Sequence, residues 1–123
     1  MKKRSLLILI IFQISLIQSS FGQEDELFEE SESLIEQKKY KKAIEKLDKV
    51  LELNPNFVGA FVNRGISNTA LKNYKVAIND FKSAISLDSL NTLSFFYIAN
   101  NYRKLKDIRS AINFHHFYSI FTS

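Results

Sequence analysis

Cysteine and tryptophan are absent from the 123-residue sequence, which has only one proline and three glycines. A chain without cysteine cannot form a disulfide framework, a thiol nucleophile or a thiolate metal site. Three glycines leave little material for the glycine-rich loops that bind phosphate groups. These absences argue against most classes of enzyme, and the sequence predicts neither a catalytic residue nor a cofactor.

The only histidines, His115 and His116, are the remaining candidates for metal binding. Neighbouring residues of a helix point about 100° apart, so this pair cannot bind one ion from a single helix. His115 occupies a column of apolar residues that we expect in the core, and His116 a surface column. We therefore expect no metal site.

The N-terminus has the pattern of a secretory signal peptide. Three basic residues at positions 2–4 precede an uncharged run, 5–23, whose centre is apolar. Small residues, Ser20 and Gly22, stand where a signal peptidase requires them, which places cleavage before Gln23. Residues 1–22 are thus predicted to be a signal peptide of a bacterial protein that is periplasmic or secreted.

An uncleaved membrane anchor is the alternative for this segment, and membrane contact is expected only in that case. A spanning helix needs about 20 mostly apolar residues. The polar stretch Gln18-Ser19-Ser20 interrupts the run before that length is reached.

Charge divides the remaining sequence into two halves. Residues 23–56 contain 10 acidic and 6 basic residues, a net charge of −4, whereas residues 57–123 contain 3 acidic and 8 basic residues, a net charge of +5. The sum of +1 provides no concentrated basic field for nucleic acid. The two halves can steer a polar partner or a second copy head to tail; alternatively, they are solvated helix faces that happen to segregate.

The sequence after the signal segment is periodic, and equivalent positions recur at 40, 74 and 108. One pattern occurs three times: Tyr40-x-x-Ala43-Ile44-x-x-Leu47, Tyr74-x-x-Ala77-Ile78-x-x-Phe81 and Ile108-x-x-Ala111-Ile112-x-x-His115. A small residue recurs at the same offset, as Ser31, Gly65 and Ala99. Apolar residues spaced by three and four predict two amphipathic helices in each period.

This pattern resembles the tetratricopeptide repeat (TPR), with units at 24–57, 58–91 and 92–123. The resemblance implies that residues 23–123 are one all-α domain, a solenoid of three antiparallel helix pairs in a right-handed superhelix. We expect helices at 24–37, 40–53, 58–71, 74–87, 92–105 and 108–121. Glu30, Asn68 and His115 depart from the apolar residues that the family usually has at these positions.

The resemblance further implies a concave groove lined by the first helix of each unit. The residues expected to line it are Phe28, Glu32, Val62, Asn63, Ile66, Phe96, Tyr97, Asn100 and Arg103. Such a surface suits an extended or helical peptide, with Asn63 and Asn100 binding its backbone and Phe96 and Ile66 contacting an apolar side chain. Alternatively, the apolar members are simply partly buried between neighbouring helices, namely Phe28, Val62, Ile66 and Phe96.

One well-known use of the family is not expected here. A clamp for a C-terminal carboxylate requires lysine, asparagine and arginine at defined groove positions, and of these only Asn63 is present. Phe28 and Glu32 in unit one, with Leu93 and Tyr97 in unit three, replace the others. Glu32 would repel a carboxylate.

The last helix differs from its two predecessors. Phe114, Phe117 and Ile120 occupy positions that we expect to face solvent, where the second unit has Asp80, Ser83 and Ser86. Exposed apolar area of this kind is typical of an interface, with another chain, a second copy or a membrane surface. A chain that lacks a following repeat or capping helix is the alternative.

The sequence therefore predicts an exported adaptor or scaffold that binds a protein or peptide partner. The alternative function is a homo-oligomeric structural subunit that assembles through its apolar C-terminal helix.

Overall fold

The computed structural model describes residues 2–20 and 22–123. The described residues form seven helices and no strand: α1 (Lys2–Ser20), α2 (Gln23–Glu36), α3 (Tyr40–Leu53), α4 (Val58–Ala70), α5 (Tyr74–Leu87), α6 (Thr92–Lys104) and α7 (Ile108–Thr122). The expected all-α solenoid is confirmed. Each of the six expected repeat helices begins and ends within one residue of its predicted bounds.

The same turn ends the first helix of every pair. Lys38, Lys72 and Lys106 adopt left-handed backbone conformations, with φ of 59°, 64° and 62°. The N–H of the following residue then bonds to the carbonyl five residues back, as in the 2.8 Å bond from Asn73 N–H to Asn68 O. This bond satisfies a carbonyl that the helix end would otherwise leave unpaired.

Short polar side chains cap the last two helices. The Asn91 side chain accepts a bond of 3.0 Å from the backbone N–H of Ser94 at the start of α6. Asp107 accepts bonds from the backbone N–H and the hydroxyl of Ser110 at the start of α7. These two bonds lower the pKa of the Asp107 carboxyl, because they stabilise its charged form.

Small residues allow the two helices of a pair to cross closely. Ser31 and Ala99 are buried, and Gly65 lies directly against the ring of Phe81. A Cβ atom on Gly65 would lie 2.8 Å from Cζ of Phe81, which is closer than atoms can approach. The column of small residues therefore sets the interhelical distance.

The apolar core has two parts that follow the order of the units. The smaller part lies between the first and second pairs and contains Leu47, Val50 and Ala60. The larger part lies between the second and third pairs and contains Val62, Ala77, Ile78, Phe81, Ala84 and Ile98. Each helix pair therefore depends on its neighbour to bury its apolar face.

The stack curves with its first helices inward. Successive first helices contact one another, α2 with α4 and α4 with α6, whereas among the described residues the second helices α3, α5 and α7 make no such contacts. The face formed by α2, α4 and α6 is therefore the inner face, as the resemblance implied.

Helix α1 lies outside this stack, and α2 is the one helix that it contacts in the described part of the chain. Its apolar side chains between Leu6 and Leu16 are largely exposed. Within the described ranges, no helix combines the length and hydropathy that a membrane crossing requires. Met1 and Phe21 of the expected signal segment lie outside the described residues.

Candidate functional site

The inner face exposes five of the nine expected groove residues. Glu32 and Arg103 are exposed, Asn63 and Asn100 are half-buried, and Phe96 is 41% exposed. The four polar side chains make no hydrogen bond or ion pair with any described residue. Their donors and acceptors are therefore available to a partner.

The other four groove residues contribute to packing. Val62 is only 7% exposed and belongs to the core, so its expected place on the groove surface is wrong. It is buried because α6 packs against this side of α4. Ile66 is half-buried against the same core.

Two aromatic groove residues also pack against their neighbours. Phe28 reaches from α2 to α4, where its ring centroid lies 4.8 Å from that of Phe57. Tyr97 stacks on Phe81 at 5.0 Å with the rings nearly parallel. The alternative that the apolar groove residues lie between helices therefore describes Phe28, Val62 and Ile66, whereas Phe96 stays accessible.

A small acidic pocket lies at the α2 end of the inner face. Glu32, Ile35, Glu36 and Asn63 line a cavity of about 280 Å³ between α2 and α4. Two carboxylates beside an apolar wall suit a long cationic side chain, whose methylene groups contact the wall while its charge meets the carboxylates.

An aromatic cluster lies at the other end of this face. The ring of Phe96 is 5.7 Å from that of Tyr97 and 5.6 Å from that of Tyr118 on α7. Tyr118 was not among the expected site residues. The equivalent positions of the earlier units hold the smaller residues Val50 and Ala84. The large side chain of Tyr118 at this position is the signal that the sequence offered.

A partly buried ionic network joins the first two units, and the sequence analysis missed it. Arg64 donates to both carboxylate oxygens of Asp80, the shortest contact being 2.7 Å, and donates to Asp48 of the preceding unit at 2.8 Å. Burial disfavours the charge of Arg64, but the bonds and attraction of these carboxylates outweigh burial and raise its pKa. Asp80 is only 4% exposed, so its expected solvent-facing position is wrong.

Glu30, which departs from the usual apolar residue, is the equivalent of Arg64 in the first unit, and Lys46 is the equivalent of Asp80. The Glu30 carboxylate pairs with Lys46 on α3, as Arg64 pairs with Asp80 one unit later but with the charges reversed. The third unit has Ile98 and Phe114 at these positions. The sequence therefore did contain a signal for these ion pairs. Both positions carry charged residues in the first two units, and the signs of the charges are exchanged between the units.

The third unit also corrects the expected position of Phe114. Its ring stacks on Tyr102 at 5.7 Å and lies 6.3 Å from Phe95, so Phe114 is half-buried and does not face solvent. Phe117 and Ile120 do face solvent, at 50% and 56% exposure. The structure therefore divides the expected C-terminal interface into one packed residue and two exposed ones.

The histidines lie on the exposed side of α7. His115 is exposed rather than buried in the expected core column, because no described helix covers this face of α7. In residues 2–20 and 22–123, no group of three His, Cys, Asp or Glu side chains is placed to hold a metal ion.

Comparisons with known proteins address the repeat and the fold. Residues 24–57 match the family model described as "Tetratricopeptide repeat". No match was found among curated protein sequences.

Several solved structures have a similar fold at low sequence identity. The second TPR of Spaghetti (RPAP3) bound to HSP90 peptide SRMEEVD is 18% identical, with a TM-score of 0.79 over 85% of this chain and 95% of that one. The Arabidopsis OM64 TPR domain is 16% identical, with a TM-score of 0.80 over 83% of this chain and 84% of that one. The Yersinia enterocolitica type III secretion translocator chaperone SycD is 15% identical, with a TM-score of 0.78 over 80% of this chain and 75% of that one.

The all-helical stack of the described residues agrees with these comparisons. Residues 24–57 are therefore similar to a tetratricopeptide repeat, and the chain has a helical-solenoid fold similar to that of these TPR structures.

Proposed function

We propose that the chain is a protein-interaction module that binds a peptide or partner helix on its inner face. The observation that carries this proposal is the set of four polar side chains without partners, Glu32, Asn63, Asn100 and Arg103, which lie on the same face as the exposed Phe96. A neighbour with this fold, the second TPR of Spaghetti (RPAP3), holds a peptide, which supports the same use here.

The charges of the inner face indicate the chemistry and direction of the ligand. Glu32 and Glu36 lie at the α2 end, whereas Arg103 and Lys104 lie at the C-terminal end of α6. A matching peptide carries a basic residue near α2, an apolar residue at Phe96 and an acidic residue near α6. Because the residues of a carboxylate clamp are missing, a free C-terminus is not required.

The experiment is a selection of peptides from a displayed random library on the full chain, followed by titration of the selected peptides. Replacement of both Asn63 and Asn100 by Ala should weaken binding about 10-fold, because each amide loses its bonds to the peptide backbone. The matched control is Asn79→Ala, since Asn79 is an exposed asparagine on α5, away from the inner face. If the selected peptides bind the Asn63/Asn100 double variant as tightly as the Asn79→Ala control, the binding surface lies elsewhere.

We also propose that residues 1–22 direct export and are removed, so that the module acts in the periplasm or outside the cell. The basic start of the segment and its exposed apolar side chains support this proposal. The intact mass of the chain from a bacterial envelope fraction tests it, because a cleaved chain begins at Gln23 and is lighter by the mass of the segment. A full-length mass in that fraction would indicate an uncleaved segment.

A structural subunit is the second candidate function, and the exposure of Phe117 and Ile120 favours it. In this case the outer face of α7 joins copies of the chain or holds another protein. Replacement of both residues by Ser should then lower the molar mass in solution without changing peptide binding. An unchanged molar mass would exclude self-assembly through this face.

A further inference from the structure

One surface of the third unit, between α6 and α7, is exposed. The equivalent surface of the second unit is covered by the next helix of the stack. Ala99, Arg103, Ile108, Ile112 and His115 line a cavity of about 200 Å³ between α6 and α7, here named the end groove. In this groove Ile108 and Ile112 are 56% and 63% exposed.

The equivalent positions of the second unit are covered by a helix. Phe81, the equivalent of His115, is fully buried, and Tyr97 of α6 stacks on it. Thr69, the equivalent of Arg103, receives a 3.0 Å hydrogen bond from the Asn101 side chain of α6. The end groove therefore consists of the positions that, in the second unit, contact the first helix of the following unit.

The exposed face of α2 is the complementary half of such a junction. On α2, Glu29 and Ser33 stand where α6 has Tyr97 and Asn101, and both are exposed. A helix placed on the end groove in the register of α6 would bring Glu29 to His115 and Ser33 to Arg103. An imidazole N–H can donate to a carboxylate in either protonation state of the histidine.

The ionic network supports the same register. Arg64 binds Asp80 of its own unit and Asp48 of the preceding unit. Glu30, at the equivalent position of α2, binds Lys46 of its own unit. In the continued stack, the residue of α7 that corresponds to Asp48 is His116. The new junction would then place a carboxylate against a nitrogen donor, as the junction of the first two units does with Asp48 and Arg64. The junction of the second and third units has Lys82 and Ile98 at these positions instead.

We propose that a second copy of the chain docks head to tail, with its α2 on the end groove of the first copy. The acidic first half of one copy then meets the basic second half of the other, in agreement with their net charges of −4 and +5. Because the two surfaces differ, the contact is heterologous and repeats, so it builds open rows of copies rather than a closed dimer. Asn100 and Arg103 border both the end groove and the inner face, but docking of a second copy requires no contact with a peptide.

One residue limits how closely the copies approach. Glu26 of α2 stands where α4 has Ala60 and α6 has Ser94, both fully buried. The longer side chain holds α2 farther from the end groove than α4 and α6 lie from their preceding helices. The contact is therefore weaker than the internal junctions, and it weakens further as salt screens the charges.

Sedimentation equilibrium of the full chain, at concentrations up to about 1 mM and at low and high salt, tests the proposal. One variant combines Glu29→Lys with Glu30→Lys, and a second combines His115→Glu with His116→Glu. Glu45→Lys with Glu52→Lys is the matched control, because it makes the first variant's charge change at exposed positions of α3. All chains share the same α1, so its contribution cancels in the comparison.

We expect concentration-dependent association of the wild type that salt weakens. Each of the two variants alone should associate at least about 10-fold more weakly. The histidine variant sets glutamate against Glu29 and Glu30, and the lysine variant removes the carboxylates that accept from His115 and His116. A mixture of the two variants should recover association, since the lysines of one variant meet the glutamates of the other. The control should associate like the wild type.

Three results would overturn the proposal. The first is a wild type that stays monomeric throughout the concentration range. The second is a pair of variants that associate as well as the wild type. The third is a mixture of folded variants, with helix content and melting like the wild type, that fails to recover association. Association that depends only on Phe117 and Ile120 would instead assign the contact to the outer face of α7.

Discussion

At the residue scale, the Arg64–Asp80 pair connects sequence, stability and fold. Asp80 is almost wholly buried, and its carboxylate is satisfied by Arg64 and by the Asn68 side chain at 3.3 Å. A buried charge without its partner is costly, whereas an apolar pair of similar volume often serves as well. The third unit has such an apolar pair, Ile98 and Phe114, at these positions.

Replacement of Arg64 by Met should therefore lower the free energy of unfolding by about 3 kcal/mol, because Asp80 is left unpaired. Adding Asp80→Leu should restore much of this loss, since no buried charge then remains. Urea unfolding followed by circular dichroism measures both effects. A double variant no more stable than the single one would show that the unpaired charge was not the cause.

At the element scale, three identical turns place lysine in a backbone conformation that favours glycine. Lysine has no advantage in the left-handed conformation that Lys38, Lys72 and Lys106 adopt, and glycine reaches it without a steric cost. The turn therefore depends on the hydrogen bonds at the helix end and not on a favourable turn residue. Glycine is the residue that usually signals such a turn in a sequence. Because lysine stands at all three positions, the sequence did not reveal the left-handed conformation.

Substitution of Lys72 by Gly should stabilise the chain by about 0.5–1 kcal/mol. Lys72→Ala is the matched control, because alanine keeps the Cβ atom that causes the strain and should give no gain. The urea midpoint should rise for the glycine variant while the slope of the transition stays unchanged. Equal midpoints for the two variants would argue against backbone strain at this position.

At the scale of the whole molecule, burial is concentrated in the middle of the stack. Helix α5 has five buried residues, whereas α7 has none and α2 has only Ser31. A solenoid of this kind gains stability from its junctions, and among the described helices α7 contacts only α6. Local opening should therefore cost least at the two ends.

Amide hydrogen exchange should follow this gradient. At low protein concentration, the amides of α7 should exchange at least about 30-fold faster than those of α5. If copies stack head to tail, protection in α7 and α2 should rise with concentration while that of α5 stays constant. Equal protection of α7 and α5 at high dilution would contradict the gradient.

The sequence alone determined the period and the helices. Tyr40 to Leu53 and Tyr74 to Leu87 form helices with the predicted bounds, because apolar spacing and helix ends are local features that neighbouring residues decide. The column of Ser31, Gly65 and Ala99 predicted the close crossings for the same reason. The unpaired polar residues of the inner face followed from their register within the repeat.

Only the tertiary structure decided which side chains meet. Arg64 and Asp80 are 16 residues apart on different helices, and their contact depends on how the two helices rotate about their axes. The same rotation turns Phe114 onto Tyr102 and leaves Phe117 in solvent. Val62 is buried because α6 covers it, which no feature of α4 itself reveals. Periodicity assigns a residue to a face, but the partner on that face comes from another helix, and its position is fixed only when the helices pack.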